Sequence, residues 1–309
     1  MSKLLSPLTG EESVTLLRSL DAAKLASDYL RIHGIDIRKY LGGIEIVRLY
    51  RCDRTGYRFY YPFNISGDSE FYSQLEKYDW YYMATKWEHD EALKYIRSRD
   101  AVLEIGAARG DFLRRAMRIE KTTCVGLELN QNAVAMARTR GVNVLVETAE
   151  EHATSHLEEY DVVCLFQVLE HISNPASVIG SATQMLKPGG RLIIAVPDNS
   201  TRARPSIFVT EDNVLNMPPH HQGLWDLISL TSLTSIYPIS IDALVVEPAE
   251  ARNHRHGYRG LIKNRLREQY GVLGFVYYLA IRSILTNTIS DLAGYLPAHS
   301  VLASYTKRA

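Results

Sequence analysis

Between residues 101 and 196 the chain alternates short apolar runs with amphipathic or alanine-rich stretches. The runs are AVLEIG, TTCVGLEL, VNVLVE, YDVVCLF and RLIIAVP. Short unbroken apolar runs suit strands buried on both faces, and the stretches between them suit the helices that cover those faces. The pattern therefore predicts a parallel α/β sheet. SIDALVVEP at 240–248 and HSVLASYTK at 299–307 read as two further strands that complete it. Ahead of the sheet, helical periodicity runs through ESVTLLRSLDAAKLASDYL and again through SEFYSQLEKYDWYYMATKWEHDEALKYI. Between the last two strands lies a separate block, 251–296, basic in its first part and apolar in its second.

Composition sharpens this only a little. The chain has 309 residues, 46% hydrophobic and 23% charged, which suits one large core with appended segments and excludes a fibrous or disordered chain. Lys plus Arg and Asp plus Glu are 35 each, so no global field draws the chain to nucleic acid, and any basic surface is local. The three cysteines are too few for a disulfide framework and suit a reducing compartment. The opening MSKLLSPLTGEESV has no sustained apolar run and no cleavage pattern, which predicts a cytoplasmic protein.

The strand AVLEIGAARGDFL carries Glu104, Gly106, Ala107, Ala108 and Gly110. Glycine serves where backbone bends with positive φ or approaches a ligand, although a tight crossover without a ligand reads the same way. The second strand, TTCVGLELN, ends in Glu128 and Leu129, and Glu128 lies 24 residues after Glu104. A carboxylate there can accept from both hydroxyls of a ribose. Asp111 directly follows Gly110 and would repel the pyrophosphate of a dinucleotide.

With these features in order, residues 80–250 and the final strand resemble the class I S-adenosylmethionine-dependent methyltransferases. VLEIGAARGDFL and GLELN resemble the first two motifs of that family. VETAEE, with Thr148, Ala149 and Glu150, resembles the segment that frames adenine. FQVLEHISNP, with Phe166 and Gln167, and LKPGGRLIIAVPD resemble the motifs at the fourth and fifth strands. The resemblance implies a Rossmann-like sheet of seven mostly parallel strands, helices on both faces, and S-adenosyl-L-methionine as cofactor. It also divides the chain into an N-terminal cap at 1–79, a methyltransferase domain at 80–250, a helical insertion at 251–296 and a last strand at 297–309.

After the fifth strand comes NMPPHHQGLWDLISLTSL, where His220 and His221 stand at the edge at which an acceptor would bind. A neutral imidazole can take a proton near pH 7, so these two are the candidate bases, with packing or capping the alternative. His171 in LEHISNP is a secondary candidate, and Glu170 reads as polar framing. NMPPHH superficially resembles the Asn-Pro-Pro-aromatic motif of base-methylating enzymes but follows the wrong strand. Trp80, Tyr81, Tyr82, Lys86 and Trp87 sit where relatives close a lid over the substrates, and Trp225 follows the histidines. Apolar helix packing is the competing reading for the aromatics.

Two echoes, SPLTG at 6–10 and RCDRTGYRFYYP at 51–62, resemble the knuckles of a zinc ribbon found in sugar-modifying relatives. The ligand positions read Ser6, Thr9, Cys52 and Thr55, and one thiol in four cannot hold zinc, so no metal is expected. The likeness implies O-methylation of a sugar or glycan hydroxyl. The alternatives are another small-molecule acceptor or a binding protein without turnover. Residues 251–296 suggest recruitment to a membrane surface or a phosphorylated glycan, against a plain solvated helix face. Their apolar stretch of 14 residues contains Arg282 and is too short to span a bilayer.

Overall fold

The computed structural model describes residues 3–75, 77–78, 83–200, 213–248, 255–292 and 297–309. Its strands are β1 (Val14–Asp21), β2 (Ile46–Cys52), β3 (Arg58–Tyr61), β4 (Ala101–Ile105), β5 (Thr123–Leu127) and β6 (Val144–Leu145). They continue with β7 (Tyr160–Phe166), β8 (Leu186–Pro197), β9 (Gly223–Leu224), β10 (Ile239–Pro248) and β11 (Pro297–Lys307). Seven of them form one sheet in the order β10-β11-β8-β7-β4-β5-β6. The pairings from β8 to β6 are parallel, and β11 runs antiparallel to both of its neighbours. A seven-stranded, mostly parallel sheet is thus the frame the apolar runs predict.

Alternation along the central strands divides the core. Leu103, Ile105, Val163, Leu165, Ile194 and Val196 belong to one buried cluster. Val102, Val162, Cys164, Ile193 and Ala195 belong to another, with Phe112, Leu113 and Ala116 of the helix Asp111–Ala116. The first cluster also contains Tyr57, Phe59 and Trp225, so the region before the sheet shares its core.

That region is a second, four-stranded sheet in the order β1-β2-β3-β9. Its fourth strand comes from beyond β8, where Gly223 pairs with Phe59 and Leu224 with Arg58. The sheet of β1, β2 and β3 is therefore completed by a segment some 160 positions later in the chain.

One sequence expectation needs correction here. ESVTLLRSLDAAKLASDYL is not one helix: its first half is β1, paired with β2, and only Ala22–His33 is helical. Asp21 makes the switch, since its side chain accepts from the Lys24 amide at 2.7 Å and caps the helix. Leu16 and Leu17 are exposed, which is why an apolar count alone favours a helix there.

The two echoed turns share a geometry. Gly10 donates to the Ser6 carbonyl and Gly56 to the Cys52 carbonyl, both at 2.8 Å. Thr9 Oγ1 lies 3.8 Å from Cys52 Sγ. Burial pushes the Cys52 thiol up, but hydrogen bonds from Ser6, Thr55 and Thr9 outweigh it and leave the pKa lowered.

The helix Arg255–Leu292 breaks at Gly271, with φ 56 and ψ −133. Among the described residues no helix is long and apolar enough to cross a membrane.

Candidate functional site

Strand β4 ends at Ile105, and the chain turns through Gly106 to Gly110 into the helix Asp111–Ala116. The amides of Gly106 and Ala107 both donate to the Leu127 carbonyl, at 2.8 and 2.9 Å, which pins the turn to the tip of β5. Gly106 has φ +76, and a Cβ there would stand 2.4 Å from Val168 Cγ2. Only glycine meets both conditions without strain. Ala108 also takes a positive φ, 45, and its amide donates to Glu128 Oε2 at 2.9 Å.

Glu128 follows β5 directly. Its other oxygen accepts from the Asn130 amide at 2.8 Å, so the carboxylate is fixed by two backbone donors and each oxygen keeps a lone pair. Leu129 beside it is 63% exposed, an apolar side chain held out over the same edge. Thr148 caps the helix Ala149–Ala153 in a reciprocal arrangement with Glu151, so its hydroxyl is committed, while Ala149 is buried and Glu150 exposed. Phe166 packs against Phe112 in the core. Gln167, with a positive φ of 56, donates to Glu88 and to Ser300 Oγ at 3.3 and 3.1 Å.

Asp111 does not stand as an open charge, because Arg140 donates to it at 3.0 Å. The repulsion expected of it toward a pyrophosphate is largely balanced. Strand order makes the distinction instead, since a reversed β11 between β10 and β8 is foreign to the all-parallel dinucleotide sheet.

The loop 213–226 brings the histidines together. It is clamped from the N-terminal side, where the Tyr29 and Tyr60 hydroxyls donate to the carbonyls of Met217 and Asn216 at 2.9 and 3.2 Å. From the main sheet, the Gln222 amide donates to the Glu170 carbonyl at 2.7 Å. Rings of His220 and His221 stack at 4.5 Å, and His171 stands 4.7 and 5.0 Å from them. His171 Nδ1 lies 2.8 Å from the His220 carbonyl and His220 Nδ1 2.8 Å from the Leu215 carbonyl. His221 Nδ1 lies 2.8 Å from Asn216 Oδ1. That oxygen is an acceptor because Asn216 Nδ2 donates to Asn199 Oδ1, and Asn199 Nδ2 in turn to the Pro197 carbonyl. Each Nδ1 is consequently the protonated nitrogen of its ring.

Burial sets the ionisation here. It holds His171 down to about 4, against the opposing bond to the His220 carbonyl, and holds His220 and His221 well below the usual imidazole range, with repulsion among the rings adding to the effect. It pushes Glu170 up to about 8 and Glu104 well above the carboxylate range, while Lys86 pulls both down. Oε2 of Glu104 is buried with no hydrogen-bond partner among the described residues.

Of the expected acceptor contacts, Lys86 lies on this side through its charge effect on Glu104, Glu170 and His171. Trp225 is wholly buried, 4.3 Å from the Tyr57 ring, and Trp87 packs on the core. Both tryptophans therefore have packing partners in the core. Tyr81 and Tyr82 lie outside the described residues. Sequence reasoning missed Asn216, Glu88 and Tyr72, the last with its hydroxyl 3.5 Å from His171 Nδ1. Asn216 precedes His221 by five residues in a loop, where no periodicity marks it.

Residues 80–237 match the family described as "Methyltransferase domain". The ubiquinone biosynthesis O-methyltransferase of Klebsiella pneumoniae subsp. pneumoniae is 32% identical over 139 residues, 41% of this chain and 57% of that protein. Its counterpart from Serratia proteamaculans is 34% identical over 146 residues, 43% of this chain and 59% of that protein. The chain thus spans less than two thirds of the length of these curated relatives. A solved SAM dependent methyltransferase from Archaeoglobus fulgidus shares the fold, with TM-score 0.50 and 15% identity over 78% of this chain and 100% of that one.

Proposed function

The chain belongs to the methyltransferase-domain family, and from that membership we propose that it transfers a methyl group from S-adenosylmethionine to a hydroxyl oxygen. The observation that carries the reading is the turn at Gly106, a cradle that a Cβ would fill, with Glu128 held at its side by two amides. The residues present fit the cofactor. Glu128 keeps lone pairs for ribose hydroxyls, Leu129 offers apolar surface beside it, and Glu104 presents a buried oxygen suited to a cationic group. When bound, the cofactor supplies a methyl group on a positively charged sulfur, activated for in-line displacement. The chain's part is alignment, worth about 7 to 11 kcal/mol in well-oriented systems.

This reading puts the acceptor against His171, His220 and His221, at the carboxyl edge of the sheet where an open α/β fold takes its second substrate. A sugar hydroxyl is the first reading, supported by the likeness of the turns at 6–10 and 52–56 to those of sugar-modifying relatives. A phenolic hydroxyl is the second, favoured by the ubiquinone O-methyltransferases among the relatives. A histidine acting alone as base is hampered by burial, because an imidazole held near 4 takes up a proton weakly.

The helix Arg255–Leu292 supports contact with a membrane surface or a phosphorylated glycan. Past its break Val272 and Leu273 are 79% and 78% exposed, and Val276 and Tyr277 are also exposed. Incubation with labelled S-adenosylmethionine and separate pools of glycans, sugar nucleotides and polyprenyl phenols tests the function. Label in one pool identifies the acceptor class, and label in none, with cofactor bound, removes the transfer reading.

A further inference from the structure

Two buried imidazoles, His220 and His221, and the half-buried His171 meet at one place with their protons already assigned. One ring nitrogen from each of His171, His220 and His221 lies within 4.8 Å of the others. Each Nδ1 is spent on a carbonyl oxygen, so the nitrogen that carries the lone pair in every ring is Nε2. Nitrogens of three imidazoles this close together are a donor set that a cation can bridge. The carbonyl partners also do what the surroundings of a metal-bound histidine do, fixing tautomer and ring orientation and raising the basicity of the other nitrogen.

We propose that His171, His220 and His221 form a binding site for a divalent first-row transition-metal ion, zinc foremost, through their three Nε2 atoms. Imidazole nitrogens suit zinc, cobalt or nickel, whereas magnesium and calcium require oxygen donors that this cluster lacks among its three members. Zinc–nitrogen bonds of about 2.0 to 2.1 Å put tetrahedral ligands about 3.4 Å apart, so the near-parallel rings of His220 and His221 turn out of their stack to share the ion. Glu170 Oε1, 3.8 Å from His171 Nε2, places a carboxyl next to the ion.

Three protein ligands leave a fourth position open, the arrangement of a catalytic rather than a structural zinc site. An acceptor hydroxyl bound there gives up its proton to solvent more readily and presents oxygen to the methyl group. This use of the ion rests on the function proposed above, whereas the site itself does not.

The full-length protein, stripped with chelator and dialysed against Zn2+ or Co2+, tests it by metal analysis and thermal unfolding. The expected result is about one zinc per chain, a raised Tm, and the visible absorption of tetrahedral Co2+. His171→Ala and His220→Gln should weaken binding at least about tenfold, while His156→Ala, outside the cluster, should bind as the parent does. Absence of zinc and of any Tm shift in the parent protein overturns the site, whatever the variants do. Equal binding by folded His171→Ala and His220→Gln overturns it as well. Zinc bound without methyl transfer upholds the site and counts against the proposed function; transfer by a protein that binds no zinc does the reverse.

Discussion

Glu128 receives the Ala108 amide on Oε2, which ties the acidic end of β5 to the turn that follows β4. The residue expected to hold a ribose therefore also holds the turn. Glu128→Ala should weaken S-adenosylhomocysteine binding by about 1 to 3 kcal/mol, roughly 5- to 150-fold in Kd. Calorimetry measures this, and an unchanged Kd would remove Glu128 from the cofactor site.

Gly106→Ala combines a left-handed backbone with a Cβ 2.4 Å from Val168 Cγ2. Cofactor binding should be lost, and Val168→Ala in the same chain should restore part of it by opening space while the φ strain stays. Normal binding by a folded Gly106→Ala protein would contradict the cradle.

Glu104 gives a stability prediction with a definite sign. Its folded pKa lies above the ordinary 4.5 through burial, so below that value both states are protonated and its stabilising contribution is complete. As pH rises through the folded value, the unfolded chain has already released its proton and stability falls. Glu104→Gln should abolish that slope, matching the parent Tm in acid and exceeding it in alkali. Parallel Tm profiles for the two proteins from about pH 4 to 9 would show that Glu104 is not held protonated.

Asn216 acts through His221. Asn216→Leu removes the acceptor that fixes the His221 tautomer, so kcat should fall about tenfold or more while S-adenosylhomocysteine affinity holds. A role limited to packing would instead lower Tm with kcat intact.

How much of this was legible depended on the range of the forces involved. The strands from β4 to β8 are announced by apolar runs because burial on both faces demands them, and Gly106 and Glu128 stand at fixed offsets from those runs. The helical reading of 14–21 failed because β1 is made a strand by its pairing with β2, a partner about thirty residues away. His220 and His221 were found as residue types, but their meeting with His171 depends on a loop held by Tyr29 and Tyr60. Trp225 was legible only as an aromatic residue near the site, since its place in the core depends on its contact with Tyr57, far away in the chain.

The paired turns at Ser6–Gly10 and Cys52–Gly56 have a practical bearing on the metal experiment. Three hydroxyls and one thiol hold them together through hydrogen bonds, and such a set does not retain zinc. These turns are therefore expected to give a chelator nothing to extract. Any loss of thermal stability on chelation would start at the loop carrying His220 and His221, and through β9 and the bonds from Tyr29 and Tyr60 it would reach the N-terminal sheet as well.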